Sequence, residues 1–537
     1  MSKKLLPLLL LFIPYLMNAQ EKGLDERIND KFMPLATWWE NTVLTTVPLG
    51  SYNIPIVLIL LVFGATFFTV YFGFPAITKF KLAINTVRGK YDALDHHSVE
   101  KVELNVIDGD LVDTIKDESK DGEVSHFQAL ATAVSGTVGL GNIAGVAVAI
   151  AVGGPGATFW MIICGLIGMS TKFVECTLGV RYRDVGEDGT VYGGPMYYLK
   201  RGLQAQNKAV LGKVLAVIFA ILCVGASFGG GNAFQSNQAA VQIVSLLGIS
   251  GGAIGFVIGV IMAILVGVVI IGGIKRIAKI TEKIVPFMAV IYVVAALIII
   301  FSNIEHIGAA TSMIFSGAFD PMAGLGGVLG VIIVGFQRAA FSNEAGAGSA
   351  AIAHSAVKTK YPASEGVVAL LEPFIDTVVI CTMTALVIIF FNMDSGAFDY
   401  GNSVNSAVML NTSGEYVGGV DLTSMAFDSV LPGFRYILTL AIILFAFSTM
   451  ISWSYYGLQS WKFLFGRGKV ADLSYKVLFL VFVVIGASAT LDAVIKFSDA
   501  MILALVFPNM IGLILLYPRV KEEMNRYLKD IKNMVKA

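Results

Sequence analysis

Long apolar stretches alternate with shorter polar connections along most of the chain. An α-helix needs about 20 predominantly apolar residues to cross a bilayer. The pattern therefore predicts an all-α integral membrane protein with about 11 transmembrane helices. The stretches have the approximate bounds 54–77, 126–152, 155–180, 212–235, 251–273, 284–302, 326–355, 363–391, 433–456, 477–495 and 499–517.

Lysine and arginine residues are concentrated in alternate connections. They follow the first, third, fifth, seventh and ninth apolar stretches and recur in the tail 519–537, whereas the connections 303–325 and 392–432 contain none. Positively charged residues accumulate in cytoplasmic connections. The alternation therefore predicts an N-terminus outside the cytoplasm and a C-terminus inside it.

Residues 1–19 have the pattern of a signal peptide. Lys3 and Lys4 precede the apolar stretch 5–17, and Ala19 offers a small residue for cleavage. An uncleaved membrane anchor is the alternative. A signal peptide followed by a single helical bundle fits the inner (plasma) membrane of a bacterium with two membranes.

The rest of the chain divides into segments of different character. We expect an extracytoplasmic segment at 20–53, an extra transmembrane helix with a charged cytoplasmic insert at 54–125, and a basic cytoplasmic tail at 519–537. Between them lie two sets of five apolar stretches, 126–302 and 326–518. Because each set makes an odd number of crossings, the two sets enter the membrane from opposite sides, which is the arrangement of an inverted repeat.

Small and polar residues from Ser135 to Asn142 interrupt the first stretch of the first set. Glycine weakens a helix by about 1 kcal/mol per residue, and irregular backbone at membrane depth is tolerated where it lines a cavity. A new helix starting near Asn142 offers N–H groups to an anion. The carbonyl groups of Ser135, Thr137 and Val138 suit a hard cation such as Na+. Close packing of small residues between helices is the alternative.

The first stretch of the second set contains a corresponding interruption, predicted over Gly335–Gly346. Arg338 and Glu344 lie within it, and charges at membrane depth mark a transport pathway or a buried pair. A purely structural ion pair is the alternative. Phe336 and Phe341 are candidates to enclose a small apolar side chain, with ordinary core contacts as the alternative.

The ninth stretch contains hydroxyl groups that are candidates for the same binding site. Thr449 and Trp453 are four residues apart and share a helix face. The hydroxyl groups of Ser448 and Thr449 are candidates to complete a sodium site against the carbonyl groups of the first interruption. Hydrogen bonds from these hydroxyls to the preceding helical turn are the alternative.

The composition excludes several classes of protein. Hydrophobic residues make up 56% of the chain and charged residues 14%, so a soluble enzyme and a disordered chain are both excluded. The 38 basic and 38 acidic residues leave no basic face for a nucleic acid. Gly139-x-Gly141-x-x-Ala144 imitates a dinucleotide-binding motif but lies in a membrane stretch, so no organic cofactor is expected. No nucleophile–base motif indicates an enzyme.

Several motifs, in this order, resemble the alanine or glycine:cation symporter family, also called sodium:alanine symporters. The resemblance runs over about residues 54–518. One departure is Ile162, where the family commonly has Trp. The motifs are Gly139–Gly145 (GLGNIAG), Gly153–Met161 (GGPGATFWM), Gly193–Leu199 (GGPMYYL), Phe341–Gly346 (FSNEAG) and Trp453–Gly457 (WSYYG).

This family is similar to the leucine-transporter fold. The resemblance implies a ten-helix core of two inverted five-helix repeats, with the first and sixth core helices broken. It also implies that Gly139, Gly141 and Asn142 meet the carboxylate of a bound amino acid, and that Gly335 meets its ammonium group. The substrate-binding candidates are Thr137, Gly139, Gly141, Asn142, Gly335, Phe336, Thr449 and Trp453.

A sodium site is implied by the same resemblance. Na+ would lie between the carbonyl groups of Ser135 and Val138 and the hydroxyl groups of Ser448 and Thr449. These features predict a sodium-coupled symporter that imports small neutral amino acids, alanine or glycine, by alternating access across the lipid bilayer. Proton coupling with Glu344 as the titrating group is the alternative. A membrane-embedded enzyme or a channel is a more distant one.

Overall fold

The computed structural model describes residues 22–49, 52–96, 122–186, 189–271, 273–320 and 327–536. The predicted signal peptide 1–19 and most of the charged insert near 92–125 lie outside these residues.

Helices dominate the described residues, as the apolar pattern predicted. A helix pairs its backbone groups within one segment, which the water-free interior of a membrane requires. Short helical turns at Pro75–Thr78, Ala93–His96, Ile304–His306 and Ala351–His354 lie between the longer helices. The longer helices are α1 (Leu24–Val43), α2 (Ile56–Tyr71), α3 (Phe80–Val87), α4 (His126–Thr137), α5 (Gly141–Gly153), α6 (Gly156–Arg181), α7 (Pro195–Gln204), α8 (Ala209–Leu247), α9 (Ile254–Ile270), α10 (Gly273–Ser302), α11 (Ile307–Phe319), α12 (Gly327–Asn343), α13 (Pro362–Ser395), α14 (Gly419–Val430), α15 (Arg435–Phe465), α16 (Lys469–Ser488), α17 (Leu491–Ala504) and α18 (Val506–Lys536).

Many of these helices have the length and composition of membrane spans. Among the described residues, seven helical segments are long and apolar enough to cross a membrane, and the bent pair α4 and α5 adds an eighth. Helices α2, α9 and α12 are shorter apolar helices at three further predicted positions. The helical and apolar character of the chain is confirmed, and the number of crossings stays a prediction.

Short strands lie in the polar connections. The first two form an antiparallel hairpin before α2, the next two pair between α6 and α7, and the last three form a small antiparallel sheet before α14. The strands are β1 (Thr46–Leu49), β2 (Tyr52–Pro55), β3 (Asp184–Val185), β4 (Val191–Tyr192), β5 (Ser403–Val404), β6 (Ala407–Met409) and β7 (Tyr416–Gly418).

The two interruptions lie in the centre of the bundle. Residues 129–151 and 338–357 are buried without exception. In contrast, α9 and α10 expose large apolar side chains such as Ile264 and Phe287. This contrast is expected of a bundle that turns apolar side chains to lipid and keeps irregular backbone in its protein interior.

The first interruption lies where the sequence predicted it. Helix α4 ends at Thr137, α5 begins at Gly141, and the two axes differ by 50°. At its other end α4 starts with a capping box, in which Ser125 and Gln128 bond each other's backbone N–H groups. The bend therefore lies at residues 138–140, between the two helices.

The second interruption begins later than predicted. Helix α12 continues unbroken through Gly335 and ends at Asn343. Glu344 then has a φ of 56°, and Gly346 and Gly348 also have positive φ values. Gly335 serves close helix packing instead, because an added Cβ would lie 2.6 Å from the Trp160 Cβ and 2.8 Å from the Ala157 carbonyl oxygen.

The last two apolar stretches also divide at a different place. The predicted gap at 496–498 is helical, and the actual boundary lies at Ala489 and Thr490, between α16 and α17. Helix α17 starts after Thr490 because the Thr490 hydroxyl group caps it by accepting the Ala493 N–H at 3.4 Å. The predicted basic tail continues α18 as far as Lys536.

Candidate functional site

Helix α15 lies against the first interruption and holds it with hydroxyl groups. The Ser135 hydroxyl donates to the Ser448 carbonyl at 2.9 Å, and the Thr449 hydroxyl donates to the Ser135 carbonyl at 3.0 Å. Ser452 donates to the Ser135 hydroxyl at 3.0 Å. All four residues are buried. The structure therefore brings three of the four candidate sodium ligands together.

The fourth candidate, Val138, has a non-helical backbone with a φ of −75° and a ψ of 88° at the end of α4. The Ser448 hydroxyl faces away from the interruption, because it donates to the Phe445 carbonyl at 3.0 Å. At Ser448 it is the carbonyl oxygen that meets Ser135. The oxygen atoms gathered at this point are hard ligands of the kind that alkali cations prefer.

A small cavity lies between the two interruptions. Of the candidate substrate residues, Thr137, Gly141 and Trp453 line it. The room inside for a water centre is about 10 Å³, which is about the space that one water needs. The site is therefore closed in this conformation. The other lining residues are Gly136, Gly230, Gln235, Phe341, Glu344 and Ile502.

Gln235 is a lining residue that the sequence analysis missed. It follows the π-helical segment Gly229–Ala233 of α8. Its amide nitrogen donates to the Gly230 carbonyl at 2.9 Å, and its amide oxygen accepts the Leu140 N–H at 3.0 Å. The cluster of glycines at 229–231 within an apolar stretch was the available signal, since it is rich in glycine like the first interruption.

Asn142 links the two interruptions through α13. Its amide oxygen accepts the Gly139 N–H at 2.9 Å, and its amide nitrogen donates to Asp376 Oδ1 at 2.6 Å. The Asp376 carboxylate also accepts the hydroxyl groups of Ser342 at 2.8 Å and Thr377 at 2.7 Å. Asp376 is fully buried and is a second residue of this region that the sequence analysis did not select.

Gly335 and Phe336 lie away from the cavity. The Phe336 ring packs against Trp160 of α6, with centroids 6.2 Å apart. Phe341 lines the cavity instead and packs edge-on against Phe234, with centroids 5.1 Å apart. Residues five positions apart on α12 face different directions because of the helical period, so Phe341 faces the cavity and Phe336 does not.

The two charges of the second interruption do not pair with each other. Arg338 forms an ion pair with Asp499 of α17. Glu344 accepts the Trp453 indole N–H at 3.0 Å and the Ser349 hydroxyl. A carboxylate therefore lies on the wall of the cavity beside Trp453, which is an arrangement able to bind a positively charged group.

Most of the chain is similar to known membrane transporters. A model of the sodium:alanine symporter family matches residues 38–537. A sodium/alanine symporter of Methanococcus maripaludis is 41% identical over 424 residues, which cover 78% of this chain and 88% of the relative. A Bacillus subtilis protein with the provisional name sodium/proton-dependent alanine carrier protein is 38% identical over 412 residues, covering 76% and 81%.

Among solved structures, the crystal structure of MhsT in complex with L-phenylalanine is similar with a TM-score of 0.48 and 15% sequence identity. The match covers 74% of this chain and 99% of that chain.

Proposed function

Because the chain belongs to the sodium:alanine symporter family, we propose that this multi-pass, cation-coupled amino-acid symporter couples the entry of Na+ to the import of alanine or glycine. The family is a transporter family, so the chain is not an enzyme. The observation that carries the proposal is the contact of Ser135 with Ser448 and Thr449 beside a cavity lined by both helix interruptions.

The amino-acid carboxylate would bind at the N–H groups of Gly139 and Leu140. The side-chain amide oxygens of Asn142 and Gln235 now accept these N–H groups at 2.9 and 3.0 Å. A carboxylate oxygen is a stronger acceptor than an amide oxygen, and the adjacent start of α5 favours a negative charge. We therefore infer that the substrate carboxylate displaces one or both amide oxygens.

The ammonium group would bind Glu344. This residue replaces Gly335 in the role first assigned, because the Glu344 carboxylate lines the cavity and Gly335 packs against α6. Trp453 donates to one Glu344 oxygen and would hold it toward the substrate. Thr137, Gly141 and Phe341 would surround the small side chain.

Na+ would bind between Ser135, Val138, Ser448 and Thr449. For this the Thr449 hydroxyl would turn a lone pair toward the ion and leave the Ser135 carbonyl free to coordinate it. Na+ would hold α4 against α15 and so favour the conformation that accepts the amino acid. This order of binding would couple the ion gradient to uptake.

The closed cavity supports alternating access. An amino acid has no room in a space of about 10 Å³, so the chain must open to either side of the membrane. We propose a ten-helix core of two inverted repeats, 126–302 and 326–518, that rock against each other. The N-terminus would lie outside and the basic C-terminus in the cytoplasm of a bacterial cell.

A transport assay tests the proposal. The purified full chain in liposomes should accumulate radiolabelled alanine or glycine under an inward Na+ gradient and not under an equal K+ gradient. The same vesicles with the Na+ gradient collapsed by an ionophore are the control. Uptake that is equal in Na+ and K+ would contradict sodium coupling.

Proton coupling is the second candidate, because Glu344 is a carboxylate within the cavity wall. An inward pH gradient without Na+ distinguishes the two. Alanine accumulation under that condition would favour the proton as the driving ion.

A further inference from the structure

A groove with basic and apolar walls runs along the first turns of α10. Its volume is about 510 Å³, and the residues that line it all belong to this helix: Arg276, Lys279, Ile280, Lys283 and Ile284. The three basic side chains are exposed, whereas the two isoleucines are partly buried. Because residues three, four and seven positions apart share a helix face, this basic groove lies on one side of α10.

The three cations of the basic groove form no ion pair with any residue that the structure describes. Glu282 is the one carboxylate in the sequence of α10, and it accepts the Gln128 amide of α4 at 2.9 Å instead. Like charges three or four residues apart on a helix repel each other and destabilise it. A bound anion would remove this repulsion.

The basic groove continues into an apolar surface of the same helix. From Ile284 to Ser302 the sequence of α10 contains no charged residue. Phe287, Val290 and Val294 are exposed and follow Lys283 at spacings of four, three and four residues, so they extend the same helix face. These three residues form the apolar stripe of α10.

The length of this part of α10 matches the thickness of a bilayer. A helix rises 1.5 Å per residue, so residues 284–302 span about 28 Å, and the hydrocarbon core of a bilayer is about 30 Å thick. With residues 284–302 in the hydrocarbon, the basic groove lies at the level of the lipid headgroups. Lysine and arginine side chains at this level attract anionic lipids.

The opposite face of α10 contacts the helices of the candidate sodium site. The hydroxyl oxygen of Thr281 lies 3.4 Å from that of Thr132 in α4. Further along α10, Met288 Sδ lies 3.5 Å from the hydroxyl oxygen of Ser448 in α15. A ligand that holds α10 in place therefore also supports α4 and α15.

We propose that the basic groove binds the headgroup of an anionic phospholipid, whose acyl chains lie along the apolar stripe of α10. The three basic side chains donate charge-assisted hydrogen bonds to the phosphate oxygens, and Ile280 and Ile284 contact the first part of the acyl chains. Free inorganic phosphate would leave the apolar stripe without a partner, so the lipid fits both parts of the surface. This inference goes beyond transport and does not depend on the transported solute or ion.

A lipid titration of the purified full chain in detergent tests the inference. The delipidated chain receives rising amounts of phosphatidylglycerol, or of phosphatidylcholine with the same acyl chains, and its unfolding temperature is measured. Native mass spectrometry counts the lipids that stay bound. We expect phosphatidylglycerol to raise the unfolding temperature saturably, at concentrations at least tenfold lower than phosphatidylcholine requires. Inorganic phosphate should have no effect.

The combined variant Arg276→Gln, Lys279→Gln and Lys283→Gln removes the charge of the groove. We expect the phosphatidylglycerol concentration for half of the maximal effect to rise at least tenfold. The combined variant Lys279→Arg and Lys283→Arg keeps the charge and should bind as the unaltered chain does. Lys283→Gln alone should raise the concentration by about fivefold, and it keeps the test valid if the triple variant fails to fold.

The matched control replaces Lys529, Lys532 and Lys536 by glutamine. These lysines are exposed and have the same spacing at the end of α18, but no apolar stripe of membrane length follows them. The control should respond to phosphatidylglycerol as the unaltered chain does. An equal loss in the control, or equal effects of the two lipids, would overturn the inference.

Two other occupants of the groove are distinguished by the same titration. Stabilisation by inorganic phosphate to the same extent would assign the groove to a free anion. Phosphatidylglycerol binding that appears only after removal of residues 97–121, an acidic segment of the chain, would assign the groove to that segment. Either result would overturn the inference and leave the proposed function intact, since neither measures amino-acid uptake.

Discussion

At the scale of single residues, Gly139 approaches helix α15 closely. A Cβ atom at Gly139 would lie 2.4 Å from Thr449 Oγ1 and 3.1 Å from Gln235 Oε1. Glycine is therefore needed there for contact, in addition to its effect on helix propensity. By comparison, a Cβ at Gly145, only six residues further along, would meet nothing within 4 Å.

Gly139→Ala should impair transport strongly. The new methyl group would push Thr449 from Ser135 and Gln235 from Leu140, and overpacking of this kind costs about 1–3 kcal/mol. We expect the half-saturating Na+ concentration in alanine uptake to rise by about tenfold or more. Gly145→Ala is the control and should keep the original value. Equal Na+ dependence in the two variants would refute the role given to Gly139.

At the scale of elements, the contact between α12 and α6 explains why the second interruption begins late. Gly335 allows α12 to approach Trp160 and Ala157 closely, as small residues do between membrane helices. The interruption starts only after Asn343, whose side-chain oxygen accepts the Ala345 N–H at 2.9 Å and so receives a donor that has left the helix.

Gly335→Ala should lower stability more than substrate affinity. An added Cβ would lie within 2.8 Å of backbone and side-chain atoms of α6, so we expect a loss of about 1–3 kcal/mol. The measurement is the unfolding temperature in detergent, together with the alanine affinity of the folded fraction. Gly308→Ala in α11 is the control, since its Cβ would meet nothing within 4 Å. A variant of normal stability that fails to bind alanine would restore Gly335 to the substrate site.

At the scale of the whole molecule, Asp184 joins distant connections on one face of the bundle. It lies in β3, directly after α6, and pairs with Arg201 of α7 at 2.8 Å and with Arg467, which follows α15, at 2.6 Å. Hydrogen bonds from Arg201 and Arg467 hold the pKa of Asp184 below its ordinary value. Arg467 also lies 3.6 Å from the centre of the Tyr192 ring.

The contribution of Asp184 to stability should depend on pH. Because its pKa is lower in the folded chain, the contribution is complete above the unfolded pKa of about 3.9 and is lost as the pH falls through the folded value. Asp184→Asn should therefore lower the free energy of unfolding at pH 7 by less than about 1 kcal/mol for a partly exposed pair. The difference, followed as a shift in unfolding temperature, should shrink as the pH falls below about 3.9.

Glu522→Gln is the matched control, because Glu522 pairs with Arg519 within a single helix and joins no elements. A difference between the Asp184 variant and the unaltered chain that stays constant down to pH 3 would contradict the assigned cause.

The sequence by itself determined the features that depend on local composition. Apolar length predicted the helices, since a membrane interior leaves the backbone no other partner. The glycines near Gly139 predicted the first interruption because helix propensity is a local property, and the motif order identified the family. Ser135 and Thr449 were paired by the family resemblance, and the hydrogen bond between them agrees with that pairing.

Only the tertiary structure decided which residues of the second interruption face the cavity, and what Asn142, Gln235 and Asp376 contact. A glycine in an apolar stretch lowers helix propensity, but in the folded chain it can either interrupt a helix or allow a neighbouring helix to pack closely. Contacts with the neighbouring helix decide which of the two occurs. Gly335 permits close packing within an unbroken helix, whereas Gly139 both interrupts its helix and lets α15 approach. The contacts of Glu365 with His126 and His354 likewise join separate segments of the chain, so no spacing along the sequence predicts them.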